Sequence, residues 1–228
     1  VLAALLAPFG LDWIGLWIMG LGLRWILEVG AFVAGLDGAR SYVPGPSQVV
    51  LPMLALGFLW LVLWRGRLRL LGVVPAVAAF ALWVQVERPV GLIAENGALV
   101  GVMTDKGRAL SKPKGAGFVA TNWLENDGEA VAQDTAAARW PAQGGGRLPN
   151  GAAIQHVWGK RALAEFSGCA SGEIIVAAGT LQVPAGECTV FDPERLRQTG
   201  AIAIHHGTEG LKFLSVRDTT GTRLWSNW

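Results

Sequence analysis

Hydrophobic and polar positions divide this chain into two halves that meet near residue 88. Before that point apolar residues run almost without interruption; after it they form short groups separated by Gly, Asn, Asp and Pro. Val49 to Trp64 (VVLPMLALGFLWLVLW) and Leu70 to about Val86 have no polar face, which predicts two membrane-spanning helices close to the lower length limit of about 17 residues. Pro52 sits near the start of the first, where a missing N–H costs little, and Pro75 either kinks the second or marks its true first turn. Trp60, Trp64 and Trp83 near the helix ends fit interfacial anchoring. Upstream, the glycine-interrupted stretch 9–41 predicts an interfacial amphipathic helix from about Leu21 to Leu36. On it Arg24 and Glu28, one turn apart, are expected to form an intramembrane or interfacial charge pair; a pore-lining element is the other reading of such charges. Val1 to Ala7 reads as the end of a membrane helix that begins upstream, because no Met or basic cluster precedes it.

The second half alternates at strand period. Val90–Ala94, Ala98–Met103 and a third run ending near Leu110 read as a meander, turned at Glu95-Asn96-Gly97 and Asp105-Lys106-Gly107. Residues 117–126 suit a helix, and 129–150 a loose connection. Strands are expected at 152–158, 161–166, 173–178, 180–183 and 201–204. Asp192-Pro193 opens a helix that Gly200 closes, and 211–217 with 222–225 form a last hairpin. The fold class is thus a membrane α-helical segment, two full spans plus an interfacial helix, followed by a small β-rich α+β domain. The domains are 1–88 and 89–228.

Charge gives this division a direction. Residues 1–88 hold six Arg or Lys and four Asp or Glu, whereas the remainder holds 13 of each sign. Arg65, Arg67 and Arg69 crowd one short loop, which places that loop in the cytoplasm as a topology determinant and the domain from Pro89 onward outside it, periplasmic in a Gram-negative cell.

The candidate chemistry is sparse. His156, His205 and His206 lack the spacing of a hydrolytic zinc site, and adjacent strand residues such as His205 and His206 point to opposite faces. No nucleophile elbow, phosphate-binding glycine loop or H-E-x-x-H motif occurs. No catalytic residue, metal ligand or cofactor is therefore expected. Cys169 and Cys188, 19 residues apart, flank two predicted strands and are read as a disulfide across a hairpin in an oxidising compartment, worth roughly 3 kcal/mol through loop closure; two free thiols are the alternative. Lys112, Lys114, Lys160 and Arg161 are candidate DNA-contacting cations, or else a solvated face.

The run PFGLDWIGLWIMGLGLRWILEVGAFVAGL, the helix pair around RGRLR, and LIAENGALVGVMTDKGRALSKPKGAGFVATNWLENDGE resemble the C-terminal end of ComEC-family competence proteins. FSGCASGEIIVAAG, GECTVFDPERLRQTGAIAI and VRDTTGTRLWS resemble the tail of alphaproteobacterial members. The resemblance implies an inner-membrane, multi-pass channel that takes up single-stranded DNA in natural transformation. Its soluble tail would be a truncated, degenerate metallo-β-lactamase-like domain without the family's metal ligands. Partners implied are the membrane, single-stranded DNA, further copies of the chain or other competence proteins. An uptake nuclease whose active site lies elsewhere in the full-length protein or in a partner is the alternative function, and a structural membrane protein a third.

Overall fold

The computed structural model describes residues 7–36, 41–129, 131–141, 145–149, 151–181, 188–207 and 210–221. Of the expected helix end at Val1–Ala7, residues 1–6 lie outside these residues and Ala7 opens a 3-10 turn, Ala7–Phe9; the expected strand at 222–225 also lies outside. Two compact units are present, Val1–Ser41 and Tyr42–Trp228, so the compositional step at residue 88 falls inside the second unit.

The first unit is built on α1, Asp12–Ala34, 23 residues long. This corrects the expected interfacial helix at 21–36: the glycines do not interrupt it, and the helix starts nine residues earlier. A helix tolerates glycine at about 1 kcal/mol each, and this one reaches about 35 Å at 1.5 Å per residue. The expected Arg24–Glu28 pair is not closed; among the described residues neither side chain joins an ion pair. Both are exposed, where fixing two long side chains returns little.

The second unit opens with a helical hairpin. Its first arm is α2, Val50–Leu63. Its second arm starts as a 3-10 segment, Arg67–Gly72, and continues as α3, Val73–Val84. Pro75 lies in the first turn of α3, the position where its missing N–H costs little, so it marks the start of that helix. By length and composition, α1 and the stretch Arg67–Val84 are each long and apolar enough to cross a membrane; α2 is a shorter apolar helix of about 21 Å. The arms touch at glycine. A Cβ on Gly72 would stand 2.6 Å from the Gly57 carbonyl oxygen and 2.9 Å from Leu61 Cγ. Replacing Gly72 by Val is expected to lower the hairpin's stability by about 1–3 kcal/mol through overpacking, read as a lower melting temperature of the full chain in detergent.

Two sheets follow. The first has order β3-β2-β1-β8-β9 and is antiparallel throughout: β1 Gly91–Ile93, β2 Val100–Thr104, β3 Gly107–Leu110, β8 Ile202–Gly207 and β9 Gly210–Ser215. The second has order β4-β5-β6-β7: β4 Gly146–Arg147 pairs antiparallel with β5 Ala153–Val157, and β5, β6 Ile174–Ala177 and β7 Thr189–Phe191 run parallel. Val100, Val102, Ile202 and Ile204 of the first sheet share one core with Ile154, Ile174, Val176 and Phe191 of the second. Burial of these branched side chains is the main stabilising term, at roughly 1.5–3 kcal/mol each. A second cluster packs α4 Gly117–Asn126 and α5 Gln133–Ala137, through Ala120, Leu124 and Ala136, on Leu99 and Leu110.

Several expectations are corrected here. Residues 161–166 are not a strand: Lys160–Glu165 forms α6, since Lys, Arg, Ala, Leu and Glu are all strong helix formers. The expected loose connection contains α5 and β4. Thr180 and Leu181 are not in a strand, and the rest of that expected strand lies outside the described residues. The run from Leu211 ends as a strand at Ser215, which caps α8 Val216–Thr220 in a reciprocal Ser215–Asp218 capping box. Asp192 caps α7, Pro193–Thr199, by accepting from the Arg195 N–H at 2.9 Å.

Candidate functional site

Of the residues singled out from sequence, His156 and Lys112 come together near the ends of β5 and β3. Asn96-Gly97 turns the chain between β1 and β2. Gly97 takes φ +64°, a left-handed conformation that suits glycine, and its N–H donates to the Ala94 carbonyl at 2.9 Å. That turn aims the Gly97 carbonyl at His156 on β5, whose Nε2 lies 2.9 Å away. On the other side of the ring, Nδ1 is 2.6 Å from Ser111 Oγ, which itself accepts the Val100 N–H at 3.0 Å. A carbonyl oxygen only accepts, so Nε2 carries the proton and a neutral ring leaves Nδ1 to accept the Ser111 hydroxyl. Burial, and after it the charge of Lys112, hold the imidazole neutral; with the Gly97 bond opposing them, its pKa falls from 6.5 to about 4. His156 is therefore a pin joining the Gly97 turn and the Ser111 segment to β5.

Lys112, next to Ser111, places its ammonium 5.1 Å from the ring centroid of Trp158. Partial burial lowers the pKa of this lysine as well. Trp158 leaves β5 with 49% of its surface exposed. The loop carrying Lys112 and Lys114 is held from below by Gln133, whose amide donates to the Lys112 and Gly115 carbonyls at 3.1 and 2.7 Å. Gly159, at φ +87°, turns the chain after Trp158 directly into Lys160 and Arg161 at the start of α6. Arg161 is already engaged by Glu165 at 2.8 Å, in an exposed pair of little energetic weight. Cation and aromatic face thus come together at Lys112–Trp158. Lys160 follows two residues behind the indole in an exposed position, and Lys114 is exposed further along its own loop. Trp158 was the residue that sequence reasoning overlooked, although its setting in Trp158-Gly159-Lys160-Arg161 carried the signal.

Cys169 and Cys188 are bonded, with Cα atoms 6.2 Å apart. The bond does not cross a hairpin. It ties the loop before β6 to the entry of β7, its parallel neighbour. His205 and His206 sit on β8, and among the described residues no group of three or more His, Cys, Asp or Glu side chains is arranged to hold a metal ion. Arg65, Arg67 and Arg69 occupy the closed tip of the hairpin, all exposed.

A second polar cluster lies under α4. Arg108 on β3 is fully buried, and its Nε and Nη2 donate to the two carboxylate oxygens of Asp127, the latter at 3.0 Å; Nη2 also donates to the Pro89 carbonyl at 3.2 Å. Gly101 makes room for this side chain, since a Cβ there would stand 3.0 Å from Arg108 Cδ and 3.3 Å from the Trp123 ring. Arg108 Nη1 has no hydrogen-bond partner among the described residues. The cluster fastens the hairpin to the sheets: Pro89 follows α3, while the strap before α2 pairs Pro44 with Asp127, with the Gly45 N–H donating to the Asn126 carbonyl at 2.8 Å.

Comparison of the chain with protein-family models, curated proteins and solved structures returns no match.

Proposed function

We propose that this chain is the C-terminal part of a ComEC-type inner-membrane channel for single-stranded DNA, and that its soluble domain is a non-catalytic contact surface for the incoming strand. The observation that carries the second half of this reading is the Lys112–Trp158 pair. Proteins that hold single strands without reading sequence combine cations for the phosphates with aromatic faces on which bases stack. Trp158 offers a half-exposed indole, Lys112 a cation held against it, and Lys114 on the Lys112 loop and Lys160 at the start of α6 further charge. The membrane half is supported by two helical stretches long and apolar enough to span and by the sequence resemblance. The arginine tip then lies in the cytoplasm and the sheets in the periplasm.

The test is binding of a labelled oligothymidylate to the full chain in detergent. Trp158→Ala should weaken binding about tenfold, in line with about 1–3 kcal/mol per stacked base. Lys112→Gln should weaken it and flatten its salt dependence by about 0.7 in the log–log slope. Equal affinities for all three proteins would refute the surface. Deleting residues 90–228 from a transformable host's channel tests the wider reading, and undiminished transformation would reduce the domain to a scaffold.

A further inference from the structure

The hairpin tip concentrates all the charge of its segment. Between residues 41 and 86 the chain holds Arg65, Arg67 and Arg69 and no Asp, Glu or Lys. None of the three guanidinium groups joins an ion pair among the described residues. Directly beneath them Trp60 and Trp64 stack with ring centroids 4.2 Å apart and planes within 4°. Trp60 Nε1 donates to the Leu68 carbonyl at 3.0 Å, a bond that spans the turn at Gly66 (φ +82°) and joins the last turn of α2 to the 3-10 segment. Indoles and arginines are thereby held on one rigid cap. Below the cap both arms expose apolar side chains, among them Phe58, Leu63, Leu70 and Val74. At the opposite, open end the Trp83 Nε1 donates to the Pro44 carbonyl at 2.7 Å, beside the sheets.

We infer that this cap is a binding surface for the headgroup phosphates of anionic phospholipids in the leaflet that the closed end of the hairpin enters. The inference rests on the hairpin being membrane-embedded, as proposed above, and not on DNA uptake. Arms with exposed apolar sides belong in hydrocarbon, which brings the tip to the depth of the headgroups, where tryptophans collect. Three guanidinium groups with no carboxylate within their own segment need counter-ions from outside, and guanidinium matches phosphate in a two-pronged geometry. Nucleic-acid phosphates share this chemistry. The two indoles, however, each cover one face of the other and so offer a poorer platform for bases than Trp158.

The experiment uses the full chain in nanodiscs of phosphatidylcholine containing about one fifth phosphatidylglycerol, with the lipid shell composition read by native mass spectrometry. Wild type is expected to hold phosphatidylglycerol several-fold above its bulk fraction. The triple variant R65Q/R67Q/R69Q should lose that enrichment while still floating with vesicles. Equal enrichment in both proteins overturns the inference, as does a triple variant that keeps its lipid selectivity but loses oligonucleotide binding. A wild-type chain that floats with no vesicle at all overturns the membrane reading as well, so the two failures are distinguishable.

Discussion

Asp127→Ala is expected to destabilise the Tyr42–Trp228 unit by about 3–5 kcal/mol, a large share of the about 5–15 kcal/mol that holds a typical domain folded. The carboxylate is 4% exposed and the guanidinium beneath it is fully buried. Removing the anion strands a charge where water does not reach. Asp127 follows the last turn of α4, where a negative side chain is disfavoured by the helix dipole. Its presence there makes sense only through Arg108. The pair also holds the Pro89 carbonyl, so its loss loosens the point where the hairpin meets the sheets. The control is the double variant Arg108→Met with Asp127→Leu. Exchanging a buried pair for apolar groups of similar volume is often neutral, so this protein should recover most of the lost stability. Chemical denaturation of each full chain in detergent, followed by tryptophan fluorescence, gives the comparison. A double variant as unstable as the single one would show that the site depends on hydrogen bonding through Asp127 and not on charge balance.

What the sequence made legible was local. Apolar runs without a polar face marked both arms of the hairpin, Asn96-Gly97 marked a turn, and Asp192-Pro193 with Gly200 bracketed α7 to the residue. Each of these signals is complete within a few positions. The errors fall where a local pattern carries a helix signal. Residues 161–166 (RALAEF) have no strand alternation to support the expected strand, and helix propensity decides at this largely exposed site. Ser215-Val216-Arg217-Asp218 is a capping-box sequence, and it ends the expected strand 211–217 at Ser215. The candidate site failed to appear for a different reason. Ser111 and His156 are 45 residues apart, and Arg108 and Asp127 are 19 apart. Nothing near either residue announces its partner, because strand pairing across two sheets and the packing of α4 bring them together. Glycine at 101 was the nearest to a clue, an absent side chain in a strand whose reason is the arginine beside it.

Acid should weaken the domain through His156. Its folded pKa of about 4 lies below the unfolded 6.5. As pH falls through 6.5 the unfolded chain takes up a proton that the folded chain refuses, so stability present above pH 6.5 is lost progressively down to about pH 4. At about 1.4 kcal/mol per pH unit the loss approaches about 3 kcal/mol. The cause is visible in the site: the ring is largely enclosed, its Nδ1 is committed to accepting from Ser111, and Lys112 adds a positive charge alongside. Protonating Nδ1 requires the Ser111 hydroxyl to turn away while Oγ still accepts from Val100, which leaves the new charge buried beside a cation. His156→Gln removes the titration while keeping a neutral polar group. Denaturation midpoints of wild type and variant measured from pH 7.5 to 4 should therefore converge, the wild type starting higher and falling faster. Parallel pH profiles would mean that His156 titrates in the folded protein as it does in the unfolded chain, and that it does not lock the Gly97 turn and the Ser111 segment to β5. The folded ring itself stays neutral down to about pH 4, so the segments that position Lys112 and Trp158 keep their geometry across that window and only the reserve of stability shrinks.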